Sequence, residues 1–80
     1  MTLRVRTNEV FYKPGEIATA TTNAEPPYLI RCIVDGIVIE TSNDAPLLVS
    51  ILPEWVGAVV QFEVVKDGAS AKTHIHVESA

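Results

Sequence analysis

A lone cysteine, Cys32, excludes an internal disulfide and argues against a disulfide-stapled secreted scaffold. Positive charge is also scarce. Six lysines and arginines stand against ten aspartates and glutamates, for a net charge of −4 and an isoelectric point near 4.9. Nucleic-acid binders carry a basic stripe, so no nucleic-acid partner is expected. No apolar run approaches the roughly 18–20 residues of a membrane span, so no membrane partner is expected either. Behind the basic residues of Met1-Thr2-Leu3-Arg4-Val5-Arg6 there is no hydrophobic block, and no signal peptide is expected. Repeats, low-complexity stretches and linkers are absent from the 80 residues, which make one domain, 1–80. What is present is grease. Hydrophobic residues make up 48% and charged ones only 20%, which excludes intrinsic disorder. A chain this short buries only about 60% of its unfolded surface, so it has little stability to spare.

The four glycines and five prolines fall where strands should break. Lys13-Pro14-Gly15, Pro26-Pro27, Asp35-Gly36, Pro46, Pro53, Gly57 and Asp67-Gly68 divide the chain into strand-length pieces rich in Val, Ile and Thr. The pattern predicts strands near Leu3–Thr7, Ile17–Thr22, Tyr28–Val34, Ile37–Thr41, Leu47–Leu52, Ala58–Val65 and Ala69–Val77. Pro53-Glu54-Trp55-Val56 has room for one helical turn at most. Short strands with turn signals every 8–12 residues point to an all-β antiparallel sandwich, with a five- or six-stranded barrel as the alternative.

Two turns fix registers. Asp-Gly between strands favours a two-residue type I′ loop, because glycine tolerates the positive φ that this turn demands. Closing the third and fourth strands at Asp35-Gly36 sets Val34 opposite Ile37, Cys32 opposite Ile39 and Ile30 opposite Thr41. The other face then pairs Ile33 with Val38 and Arg31 with Glu40. Closing the last two strands at Asp67-Gly68 pairs Val64 with Ala71, Phe62 with Thr73, Val60 with Ile75 and Ala58 with Val77. Glu63 then meets Lys72, Gln61 meets His74 and Val59 meets His76. Each register gives one apolar face and one opposite-charge pair, and a one-residue slip would destroy both. The expected arrangement packs a three-stranded sheet (first, second, fifth) on a four-stranded one (fourth, third, sixth, seventh).

That layout is the one used by fibronectin-type and related immunoglobulin-like sandwiches. Tyr12-Lys13-Pro14-Gly15-Glu16, followed by the alternating Ile17-Ala18-Thr19-Ala20-Thr21, resembles the first turn and second strand of bacterial immunoglobulin-like and macroglobulin-like modules. Leu52-Pro53-Glu54-Trp55-Val56-Gly57, running into Ala58–Val65, is similar to the approach to their sixth strand. Antibody hallmarks are missing: there is no cysteine pair, and Trp55 lies outside the third strand. The resemblance implies a seven-stranded antiparallel immunoglobulin-like sandwich. Short, acidic modules of this kind resemble the accessory proteins of tailed-phage virions, namely capsid decoration or cement proteins and additions to tail proteins. They also occur as repeats in bacterial surface adhesins, some of them carbohydrate-binding. The resemblance therefore implies binding or structural work, on a virion assembled in the host cytoplasm or, alternatively, at a bacterial cell surface. It carries over no catalytic residue.

The residues themselves give catalysis little support. His74 and His76, spaced i, i+2, leave one face of the last strand, but a metal site needs a third or fourth ligand. Cys32 points with Ile30 and Val34 toward the core, where a cysteine is an apolar filler. The carboxylates are scattered, no loop has calcium spacing, and no phosphate loop or nucleophile elbow is present. No catalytic residue, metal or cofactor is expected.

The informative excess is apolar. On the outer face of the four-stranded sheet, Leu29, Ile33, Val38, Val59 and Val65 emerge together, and clustered aliphatics of this kind exceed what soluble monomers usually expose. They are the expected partner-binding residues, for a larger protein assembly, a second copy in a homo-oligomer, or both. Trp55 joins them under one reading, as an aromatic anchor; under the other it plugs the open end of the sandwich. On the first strand, Arg4 and Arg6 alternate with Leu3 and Val5, either guarding an edge or offering it for strand addition.

Overall fold

In a computed structural model, which describes residues 2–79, eight strands form two sheets. In chain order they are β1 (Val5–Thr7), β2 (Phe11–Tyr12), β3 (Ile17–Thr22), β4 (Leu29–Val34), β5 (Ile37–Ser42), β6 (Leu47–Ser50), β7 (Val60–Lys66) and β8 (Ala69–Val77). One sheet has the order β1-β3-β6, the other β2-β8-β7-β4-β5. Among the described residues the only helical element is a single 3-10 turn at Pro53–Trp55, and no helix is long and apolar enough to cross a membrane.

The three-stranded sheet has the expected membership and order. The second sheet is wider than expected by one strand and is mixed. Phe11 and Tyr12 run parallel to His76 and Val77, tied by His76 N–H to the Val10 carbonyl (2.8 Å) and Glu78 N–H to the Tyr12 carbonyl (2.8 Å). This corrects the seven-stranded, wholly antiparallel expectation. A two-residue strand is shorter than any alternation a sequence pattern can display.

The chain crosses between the sheets from Thr7 to Phe11, and Asn8 pins the crossing. Its N–H donates to the Thr19 carbonyl (3.1 Å), and its Oδ1 accepts from Thr19 N–H (3.0 Å) and from the Tyr12 hydroxyl. The Tyr12 oxygen in turn accepts from Glu9 N–H (2.9 Å). Its ring sits in the core, and burial raises the phenol pKa above its ordinary value. Asn8→Ala removes one acceptor shared by two donors. At about 1 kcal/mol net per hydrogen bond, it is expected to lower unfolding free energy by about 2 kcal/mol in urea titration.

Both Asp-Gly loops have the predicted geometry, with positive φ at Asp35 and Gly36 and at Asp67 and Gly68. The β7–β8 register is as expected from Val60↔Ile75 to Lys66↔Ala69; Ala58 and Val59 precede the strand and are not part of it. The β4–β5 register holds only for Val34↔Ile37 and Ile33↔Val38. A β-bulge at Ile39 then sets Cys32 opposite Glu40, Arg31 opposite Thr41 and Ile30 opposite Ser42. The expected Cys32–Ile39, Ile30–Thr41 and Arg31–Glu40 pairs do not form. Register is enforced where a buried face would be turned out by a slip, and β5 is exposed along nearly its whole length.

The core lies between the sheets. Alternate residues supply it: Ala18 and Ala20 of β3, Ile30 and Cys32 of β4, Leu47 and Val49 of β6, Val60, Phe62 and Val64 of β7, and Ile75 and Val77 of β8. Phe62 heads the largest fully buried side chains.

Candidate protein-docking surface

The nucleophile and the imidazoles end up on opposite sides of the larger sheet. Cys32 is fully buried on the inner face, and desolvation, with a lesser contribution from the Glu40 carboxylate, pushes its thiol pKa up to about 12. His74 and His76 are exposed on the outer face. The Gln61 side-chain amide lies 2.9 Å from His74 Nε2, and the amide donates where that ring nitrogen is unprotonated. His76 stacks on Phe11, ring centroids 5.3 Å apart at 25°. Among the described residues no group of three or more His, Cys, Asp or Glu is placed to hold a metal ion.

The centre of the outer face is ionic. Glu63 is nearly buried and lies 2.7 Å from Arg31 Nε and 4.0 Å from Lys72 Nζ. The Arg31 N–H is not aimed at the oxygen, so the close approach is a Coulombic contact without an aligned hydrogen bond. Arg31 takes this partner because the bulge moved Glu40 level with Cys32, while β7 places Glu63 directly opposite Arg31.

This ion cluster splits the expected apolar patch. Leu29 and Val65 face each other on one side of it and are half-buried. On the other side Ile33 is only 8% exposed, so it is not the open contact expected of it. Val38 and Val59 remain open, at 45% and 54%. Val59 is held beside the hairpin tip, its N–H donating to Asp35 Oδ1 (2.9 Å) and its carbonyl accepting from Asp35 N–H (2.9 Å). Of the two roles weighed for Trp55 the plug is the one found, and its place among the expected partner-binding residues is corrected. Pro53 starts the 3-10 turn, Trp55 N–H donates to the Leu52 carbonyl (3.0 Å), and the indole enters the core cluster.

Another group of exposed aliphatics gathers where β5 lies beside β6, and of these only Ile37 and Ile39 were expected to face the core. The larger sheet is two strands wider than the smaller one, so β5 overhangs the last strand beneath it, β6. Ile37, Val38 and Ile39, three in a row, are all exposed on this edge strand. Below them Leu48 and Leu52 are exposed as well. Between the strands runs an open groove of about 440 Å³, with Ile39 and Glu40 on one wall and Leu48, Ser50 and Leu52 on the other, over Val49 and Trp55. Each bordering strand pairs on one side only, β5 with β4 and β6 with β3. The groove therefore offers apolar contact and two free backbone edges together. The unequal strand counts were a signal for it: the outermost strand of a wider sheet has nothing to cover its inner face. Comparison with family models, with curated proteins and with solved structures returned no match for this chain.

Proposed function

We propose that this protein is a non-catalytic binding module with an immunoglobulin-like sandwich architecture, and that it attaches to a larger protein assembly through the overhanging β5 edge and the groove beneath it. The observation that carries this reading is the run Ile37-Val38-Ile39, exposed on an edge strand whose outer side has no partner strand among the described residues. Soluble proteins normally blunt such edges with charge, proline or a covering segment. Here one bulge and one carboxylate, Glu40, are the only such devices on the strand. The sandwich reading draws support from the order β1-β3-β6 against β8-β7-β4-β5, with β2 as an addition at the far edge. The non-catalytic reading draws support from a thiol buried away from both imidazoles. A phage capsid or tail lattice is the concrete assembly we propose, on the strength of the resemblance of short, acidic immunoglobulin-like modules to virion accessory proteins.

Sedimentation of assemblies from the native source tests the reading. Fully burying two aliphatic side chains stabilises a contact by about 3 kcal/mol or more. The double variant Ile37→Asp/Val38→Asp is therefore expected to shift from the particle fraction to the free fraction at least tenfold. Val10→Asp, at a position 52% exposed elsewhere, is expected to stay with the particles. Equal distribution of the double variant and the wild type overturns the proposal.

A further inference from the structure

We infer that the occupant of the β5–β6 groove is an extended strand of another chain, carrying aliphatic residues and a lysine or arginine together on the one face that meets the groove, added to the free edge of β5. The inference rests on the docking reading above and names its partner. Strand addition satisfies the unpaired backbone groups of an edge while alternate side chains read the surface on either side. The bulge turns both Ile39 and Glu40 to the groove, so an incoming strand meets an aliphatic contact and a carboxylate side by side. Leu48 and Leu52 opposite call for aliphatic side chains. Glu40 calls for a cation, because no lysine or arginine lines the groove.

Charge separates this partner from a second copy docking by the same edge. Two copies joined there would bring together two chains each at −4, with no lysine or arginine in the groove of either to offset Glu40. The β1 end of a second copy offers the cations Arg4 and Arg6 beside the aliphatic Val5. Its Val5, however, is 7% exposed and committed to its own core.

The test titrates the full-length, isotope-labelled protein with three synthetic capped peptides, followed by amide NMR. One is Thr-Val-Thr-Lys-Thr-Val-Thr, whose valines and lysine share one face, the second replaces lysine by glutamate, and the third N-methylates alternate amides of the lysine peptide. The lysine peptide is expected to perturb amides of residues 37–42 and 48–52, at least tenfold more tightly than the glutamate peptide. Added salt is expected to weaken it, N-methylation to abolish it, and Glu40→Lys to reverse the charge preference. No binding of the lysine peptide at millimolar concentration overturns the inference, as does sign-indifferent affinity or binding that survives N-methylation. Concentration-dependent self-association lost on Arg4→Glu/Arg6→Glu also overturns it, in favour of a second copy. If the Ile37→Asp/Val38→Asp variant leaves the particles while the peptides fail, only the identity of the occupant falls; if that variant stays attached, the docking reading itself falls.

Discussion

Trp55→Ala is expected to lower unfolding free energy by about 3–5 kcal/mol, the usual cost of truncating a buried large aromatic side chain. The indole is 7% exposed and belongs to the cluster that joins the two sheets. Domains of this size carry roughly 4–12 kcal/mol in total, so the variant sits close to global unfolding. Its thermal midpoint should fall by more than about 10 °C. Trp55→Phe keeps an aromatic ring in the plug and should retain most of the stability and particle attachment. A surface anchor would behave in the opposite way: alanine would leave stability unchanged and remove attachment. Unchanged stability in Trp55→Ala would therefore contradict the plugging role.

The second large effect is alkaline. The Cys32 thiol titrates near 9 when unfolded and is pushed up to about 12 in the folded chain, chiefly by burial. The folded state holds this proton where the unfolded state releases it. The contribution is thus fully present below pH 9 and is lost as pH rises toward 12. One proton per molecule corresponds to a slope of about 1.4 kcal/mol per pH unit. Between pH 9 and 11 wild type should lose more than about 2 kcal/mol through this residue. Cys32→Val keeps a small apolar side chain and removes the titration, so its stability should decline less steeply over the same interval. Tyr12, whose phenol is also raised by burial, adds its own loss above pH 10 in both proteins. Parallel stability–pH curves for wild type and Cys32→Val would contradict the buried thiol.

Where the sequence predicted correctly, turn chemistry and burial agreed. Asp67-Gly68 set a turn type, and Val60, Phe62 and Val64 on β7, with Ile75 on β8, gave the register a buried face to protect. Asp35-Gly36 set the same turn, yet its register ran correctly for only two pairs. Beyond them β5 is exposed along nearly its whole length, so inserting Ile39 as a bulge exposed nothing already buried. The overhang of β5 explains why Ile37 and Ile39, read as inward, lie open. Phe11-Tyr12 carried too short an alternation to register as a strand, although its neighbours Tyr12-Lys13-Pro14-Gly15 were recognised as a turn. Ile33, and Trp55 under its anchor reading alone, were misplaced for a different reason: their exposure depends on neighbours from other strands and turns, which no local pattern encodes. Val38 and Val59, beside a turn whose geometry was correctly read, are the two expected contacts that do reach the surface.

Hydrogen–deuterium exchange on the intact protein, free and attached within its native assembly, tests the docking edge most directly. In the free protein the β5 amides without a β4 partner should exchange rapidly. On attachment, protection should appear across residues 37–42 and at Leu48–Leu52, leaving Arg31, Glu63 and His74 unchanged. Protection over the outer face around Glu63, or along β1, with β5 still exchanging as in the free chain, would contradict it.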